Sequence, residues 1–442
     1  MTVLLVVLLT AVAMTAVFGI NWLTSSPSTP DDQRSFASEP TAGYSGDAAS
    51  TGSISPDWAS GVETAWRIPF PSSKYGPQPL TTVEGTTLYV FFSGPDYSTR
   101  KATVAAFDIS SEQPRELWRT TGPVPESFGR PSFVSDGDQF IVGSIVIDKA
   151  SGAQSLAPWK GSEALAAIDG IVVACDKKQA CSGWTQESSS WVRQWETTTA
   201  SQQGALSTLD KLSYTDTPVI GTGEHQSVVL RVDSPTHLAQ LIDPRTGRLT
   251  DIGSASPFRD RQNNVASFVI TSDGLLAFND DLFVTYDADG FITGTHSYEK
   301  SLRRPTRDGR VPSTSELTDF LVGGLPTWSN AVVTAQAGAV ALTVTPSDGR
   351  PPFTLDPNNN DQFYSAANFW PSEVRASADM SVVYVESVEP NTTGNRFFFD
   401  TASGMGHGSA EFHDAKDLSW AFDDLAIGVT IDGIVAFTPK AS

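Results

Sequence analysis

VIDKASG (146–152) sets a figure that returns as LIDPRTG (241–247), TYDADG (285–290) and FFDTASG (398–404). Each copy is an apolar residue, an aspartate, two or three further residues and a glycine. A looser copy, AFDISSEQPRELW, spans 106–118. The chemistry is that of a tight reversal: the aspartate accepts from backbone N–H groups two residues on, and glycine supplies the positive φ that turns the chain. Around these turns lie short, β-branched apolar runs: TTLYVFF (86–92), QFIVGSIVI (139–147), SVVLRV (227–232), SVVYVESV (381–388) and LAIGVTIDGIVAF (425–437). No long stretch of helical period is present, so the fold class is all-β.

The spacing of the turns names the architecture. The aspartates fall at 108, 148, 243, 287 and 400. Gaps of 40 and 44 residues define one unit, and the gaps of 95 and 113 each hold two, with masked turns near Gln186 and Ser347. GIVAFTP (433–439) supplies a further unit. Units of ~40–50 residues with about four strands each are the mark of a β-propeller, here with eight blades, seven being the nearest alternative. ETAWRIPF (63–70) precedes the first full unit and is expected to pair with the last blade around 425–437, closing the ring and removing its exposed edges.

Outward from the repeats, the chain has 442 residues and a net charge of −21, which repels phosphate backbones and argues against a nucleic-acid partner. Residues 3–23 (VLLVVLLTAVAMTAVFGINWL) carry no charge. At ~1.5 Å per residue they reach about 31 Å, the thickness of a bilayer core. Their length, and the lack of a small-x-small site after Phe18, favour an uncleaved transmembrane anchor over a cleaved signal peptide. The first basic residue is Arg34, beyond the apolar run, so a natural start further upstream with a basic cytoplasmic segment is expected. Residues 24–61, rich in Ser, Thr, Pro, Gly and Asp, read as a disordered linker, and 62–442 as the propeller.

The run AFDISSEQPRELWRTTG (106–122) resembles the repeat of pyrroloquinoline-quinone-type propellers, A-x-D-x-x-T-G-x-x-x-W-x-x-x-x-G, with Trp118 in the tryptophan place. VIDKASGAQSLAPW (146–159) and LIDPRTGRLTDIG (241–253) look like further copies, the second without the tryptophan. The resemblance implies the propeller fold and one of two functional groups, quinoprotein dehydrogenases or cofactor-free binding propellers. Adjacent cysteines over the cofactor, common in quinoprotein alcohol dehydrogenases, are absent; Cys175 and Cys181 are separated by five residues. That departure favours the cofactor-free group, and no cofactor is expected.

The site candidates are few. Cys175 and Cys181 flank a hairpin and are expected to form a disulfide in an oxidising exterior. Lys300, Arg303, Arg304, Arg307 and Arg310 gather five bases in a long loop of an acidic chain, suited to an acidic partner or lipid headgroups or simply to a solvated loop. Phe363, Tyr364, Phe369 and Trp370 lie among asparagines and suit a glycan, a peptide or a plug for the central channel. His407, Glu411, His413 and Asp414 have metal-ligand chemistry in a loop setting, Asp287 and Asp289 read as a turn, and Asn391 opens a glycosylation sequon. No G-x-x-x-x-G-K-[ST] or H-E-x-x-H motif is present. These readings point to a single-pass membrane protein whose propeller lies outside the cytoplasm and binds a protein or glycan of the cell envelope. The alternative is a propeller enzyme, a divergent quinoprotein dehydrogenase or a glycan or lactone hydrolase.

Overall fold

A computed structural model describes residues 53–441, apart from 71–78, 93–100, 124–132, 177–179, 189, 200–217, 232–238, 254–267, 279–281, 298–302, 307–309, 336–340, 363–370 and 388–394. Seven four-stranded antiparallel sheets follow one another at 80–123, 133–156, 162–198, 219–252, 268–297, 303–355 and 371–407. An eighth joins 416–439 to the strand Val62–Pro69, which pairs along Gly433–Pro439 as the outermost strand. The protein is thus an eight-bladed propeller whose first strand closes the last blade. Gly433 sits at the end of that seam with φ +144°, and a Cβ there would lie 2.3 Å from the Ile68 carbonyl oxygen.

The strand sequences follow from this stacking. A blade is covered by neighbours on both faces, so its inner strands are apolar throughout instead of alternating. Thr87–Phe92 and Leu425–Thr430 are buried at five of six positions, whereas the outermost strand Ser190–Thr198 has no fully buried residue. Apolar clusters lie between successive blades around the whole ring. Trp66, Phe70, Val90 and Phe107 join blades 8 and 1, and Tyr384, Phe398, Trp420 and Phe437 join blades 7 and 8.

The aspartate–glycine figure is the turn between the third and fourth strands of a blade. Asp148 Oδ1 accepts from the Ser151 amide at 2.8 Å, and the Gly152 amide donates to the Asp148 carbonyl at 2.8 Å. Asp243 and Asp400 repeat the arrangement with Gly247 and Gly404. In blades 3 and 6, where the sequence figure is degenerate, the turn includes Ser188 and Asp348–Gly349. Ser188 takes φ +59° in the place of glycine. These turns also receive tryptophans from the preceding blade. Trp118 donates from Nε1 to the Lys149 carbonyl at 2.9 Å and lies over Gly152, where a Cβ would come within 2.3 Å of the ring. Trp195 does the same to the Pro244 carbonyl at 2.7 Å, over Gly247. Trp159 departs from the expected copy: it lies beyond the outermost strand Gln154–Leu156, and its indole donates to Gly143 in its own blade at 3.2 Å.

The folded region begins before the expected boundary at 61. Pro56–Ser60 form a 3-10 helix capped by Ser55, and Ile54 and Trp58 are buried between blades 7 and 8. Composition averaged over the segment hides one tryptophan, yet that ring buries enough apolar surface to hold the helix in place. The rest of the linker and the 3–23 segment lie outside the described residues. Among the described residues, no helix is long and apolar enough to cross a membrane.

Cys175 and Cys181 are bonded, with Cα atoms 4.1 Å apart at directly opposed positions of the blade 3 hairpin. Both are buried against blade 4 beside Val228, Leu230 and Ile242. Replacing the pair with alanines is expected to lower stability by roughly 2 kcal/mol, the loop-closure value for so short a ring. Denaturant unfolding of oxidised and variant protein checks it, and a thiol titration of unfolded, unreduced chain is expected to find none.

Candidate functional site

The link between the first two strands of blade 6, Arg303–Pro305 and Ala331–Ala335, contains a helix, Thr314–Leu321, where the sequence reading had a loop. Its start is written locally. The Ser313 hydroxyl accepts from the Glu316 amide at 3.3 Å, and the Glu316 carboxylate accepts from the Ser313 amide at 2.9 Å, a reciprocal cap. Leu317 and Phe320, three apart, are buried with Trp328 against Phe278 and Phe283 of blade 5. The first turn is bolted to blade 5: Asp273 Oδ1 accepts from the Thr314 amide at 2.7 Å, and the Thr314 and Thr271 hydroxyls meet at 2.7 Å.

Two of the basic residues singled out in the sequence, Arg303 and Arg310, hold this helix. Arg310 makes two hydrogen bonds to Glu316, at 2.9 and 2.8 Å, and they are the foremost cause that draws the Glu316 pKa down to about 2. Arg303 donates to the Phe320 carbonyl at 3.1 Å and the Gly324 carbonyl at 2.8 Å, with its guanidinium 4.9 Å from the Phe320 ring centroid. Arg304 lies on the same first strand. Lys300, Arg307, the aromatics Phe363, Tyr364, Phe369 and Trp370, and the sequon at Asn391 lie outside the described residues.

Between the helix and the outer strands of blade 5 is a cleft of about 350 Å³. Thr285, Thr293 and His296 line one wall, and Thr314, Thr318 and Asp319 the other, with Asp273 and Asp287 also at its surface. Thr293 donates to the Thr285 hydroxyl at 2.8 Å. The His296 imidazole stacks on Phe283, centroids 4.9 Å apart and planes 20° from parallel. Asp287 Oδ1 accepts from the Asp289 and Phe291 amides at 3.1 and 2.9 Å, so this aspartate is the turn residue expected from the sequence and also borders the cleft. No single stretch of sequence contains both walls. The one local signal was the cap, S-T-S-E at 313–316.

The histidine-rich stretch disperses. His407 Nδ1 lies 3.1 Å from Asp361, while Glu411 pairs with Arg67 and accepts from the Thr64 hydroxyl at 2.7 Å. His413 is buried and accepts at Nδ1 from the Arg396 amide at 3.0 Å. Among the described residues, no group of three or more His, Cys, Asp or Glu is placed to hold a metal ion. Burial, aided by the Arg396 charge, lowers the His413 pKa from 6.5 to about 4. The unfolded chain therefore takes up a proton from pH 6.5 downward that the folded chain refuses until about pH 4. This share of the stability is complete above pH 6.5 and is lost on acidification toward pH 4, by up to about 3 kcal/mol. Denaturant midpoints from pH 7 to 4.5 are expected to fall less in a His413→Asn variant than in the wild type.

No family model matches the chain, and no curated protein matches it. Among solved structures it is similar to BamB from Moraxella catarrhalis, at 11% identity and TM-score 0.42, covering 86% of this chain and all of that one. The WD40 domain of SCAP from fission yeast aligns at 8% identity and TM-score 0.43, covering 86% of this chain and 98% of the other. The C-terminal WD40 domain of Sif2 gives 10%, 0.42, 86% and 99%. Likenesses this distant say nothing of what the present chain binds.

Proposed function

We propose that the chain is a membrane-anchored, extracytoplasmic propeller of the quinoprotein-like type that binds a protein partner at the cell envelope and has no chemistry of its own. The observation that carries the binding role is the cleft beside blade 5, a concave, hydroxyl- and carboxylate-lined surface held by a capped and cross-braced helix. A rigid ring presenting such a surface binds with little ordering cost. The quinoprotein-like assignment is supported by Trp118 and Trp195 resting on the glycine turns of the next blade. The address is supported by the uncharged run 3–23 and by the buried disulfide. A glycan partner is the other class that the hydroxyl lining suits.

Two measurements on the full chain test this. Protease added to intact cells is expected to digest the propeller while the chain stays with the membrane fraction; a protected or freely soluble chain sinks the address. Capture of the detergent-extracted chain is expected to bring down one protein in constant proportion, and a capture that yields instead a bound redox cofactor turns the reading toward an enzyme.

A further inference from the structure

The cleft has an origin in the blade pattern. Blades 8, 1, 3 and 5 share a bulge in the pairing of their third and fourth strands. Immediately before the bulge, Ala436 faces Trp66, Ala106 faces Trp118 and Gly183 faces Trp195. In blade 5 the corresponding pair is Thr285 and Gly294. Trp118 and Trp195 reach into the following blade, and Trp66 packs in the cluster shared with blade 1. Blade 5 has a glycine at this register position, and the smaller His296 ring stands against it, with Nε2 2.5 Å from where a Cβ of Gly294 would lie. On the blade 6 side, nothing lies within 4 Å of where a Cβ of the turn residue Gly349 would stand, although Gly152 and Gly247 are covered by indole rings. The cleft opens beside the missing ring, with the inserted helix as its far wall.

The lining brings carboxylates, hydroxyls and an imidazole ring to one surface. Asp273, Asp287 and Asp319 form no ion pair with any described residue, and only one oxygen each of Asp273 and Asp287 is engaged in the hydrogen bonds given above. The imidazole of His296 offers a ring edge or face beside them. Apolar side chains are also left exposed on both flanking elements: Phe291 (70%) and Ile292 (63%) lead into the wall strand, and Val322 (55%) and Leu325 (45%) follow the helix. A free ion makes no use of these, whereas a polypeptide segment does.

We propose that this cleft receives an arginine side chain from an exposed segment of the partner protein. Guanidinium is planar like the absent indole, carries N–H donors in a fixed fork, stacks on rings and pairs with carboxylates. Lysine meets the charge but not the flat shape. This inference rests on the binding role proposed above and names its chemistry.

The test uses the full chain in detergent with isotope-labelled histidine, titrated with acetyl-Gly-Arg-Gly-amide and with the same peptide carrying uncharged citrulline. The His296 resonance is expected to move saturably with the arginine peptide, and the citrulline peptide to bind about tenfold more weakly or not at all. Asp319→Asn, an exposed position where folding is not at stake, is expected to weaken the arginine peptide about tenfold. The double variant Gly294→Trp with Thr285→Ala restores the tryptophan–alanine pair of blades 1 and 8 but displaces His296, whose Nε2 lies 2.5 Å from where a Cβ at 294 would stand, so its expected loss of arginine-peptide binding is read by titration calorimetry instead of from the His296 resonance. Equal binding of the two peptides, no saturation by about 10 mM, or an unchanged affinity in Asp319→Asn overturns the proposal. If the wild type captures a partner and the double variant captures it equally well, the arginine inference falls while the binding role stands.

Discussion

Trp58→Ala is expected to destabilise the protein by about 3–5 kcal/mol, the range for emptying a buried aromatic site. The indole has no exposed surface, stacks on Phe398 at 4.1 Å with planes 4° apart, and meets Trp420 edge-on at 5.9 Å. Its Nε1 donates to the Asp423 carbonyl at 2.8 Å, so truncation also removes one of that carbonyl's two hydrogen bonds, the other coming from the Ser55 amide at 2.9 Å. The loss falls where blade 7 meets the blade that closes the ring. Trp58→Phe keeps much of the ring contact and gives up the N–H, so an intermediate loss is expected. Urea unfolding of the three proteins decides it. A loss under about 1 kcal/mol for the alanine variant would show that the segment before Val62 adds nothing to the propeller.

The second large effect is expected at the buried charge network of blade 7. Arg396 donates to Glu386 at 3.0 Å and to the Phe412 carbonyl at 3.0 Å, and it reaches the Ala415 carbonyl as well. The Tyr384 hydroxyl donates to the same glutamate at 3.3 Å, in a site where burial drives the tyrosine pKa well up. Glu386→Leu strands the guanidinium in the interior, with an expected cost of about 3–5 kcal/mol. Adding Arg396→Met removes the stranded charge, so the double variant is expected to be more stable than Glu386→Leu alone. The surviving deficit is the set of carbonyls that Arg396 had satisfied. A double-mutant cycle by denaturant unfolding measures the coupling, and strict additivity would show that the two side chains do not support each other.

Much of the ring was legible along the chain because it is made of local events repeated. An aspartate that binds its own turn and a glycine that reverses it need only neighbours in sequence, so VIDKASG and its copies mark blades directly. The continuous apolar runs reported sheets covered on both faces, and ETAWRIPF, left over at one end, reported a closure. Cys175 and Cys181 face each other across one hairpin, a separation short enough to read. Other features were written in signals too small for a pattern. The helix Thr314–Leu321 is eight residues long, less than a period search needs, and only its cap was visible. Trp58 is a single ring in a polar stretch.

The cleft itself was decided by tertiary structure. Trp66, Trp118, Trp195 and Gly294 are equivalent through their pairing register, while their distances from the turn aspartates differ because turn length and bulge position intervene. The basic residues looked like one charged loop, yet Arg303 and Arg310 reach opposite ends of the inserted helix and fasten it. Sequence by itself determined the repeating unit and its closure, since hydrogen bonds within a hairpin and burial between sheets recur with the chain's own period, and it favoured eight units over seven, a choice the eight sheets of the structure decide. What lies between two blades depends on side chains far apart in sequence, brought together only when the ring shuts, and there the missing indole and the added helix leave an open space.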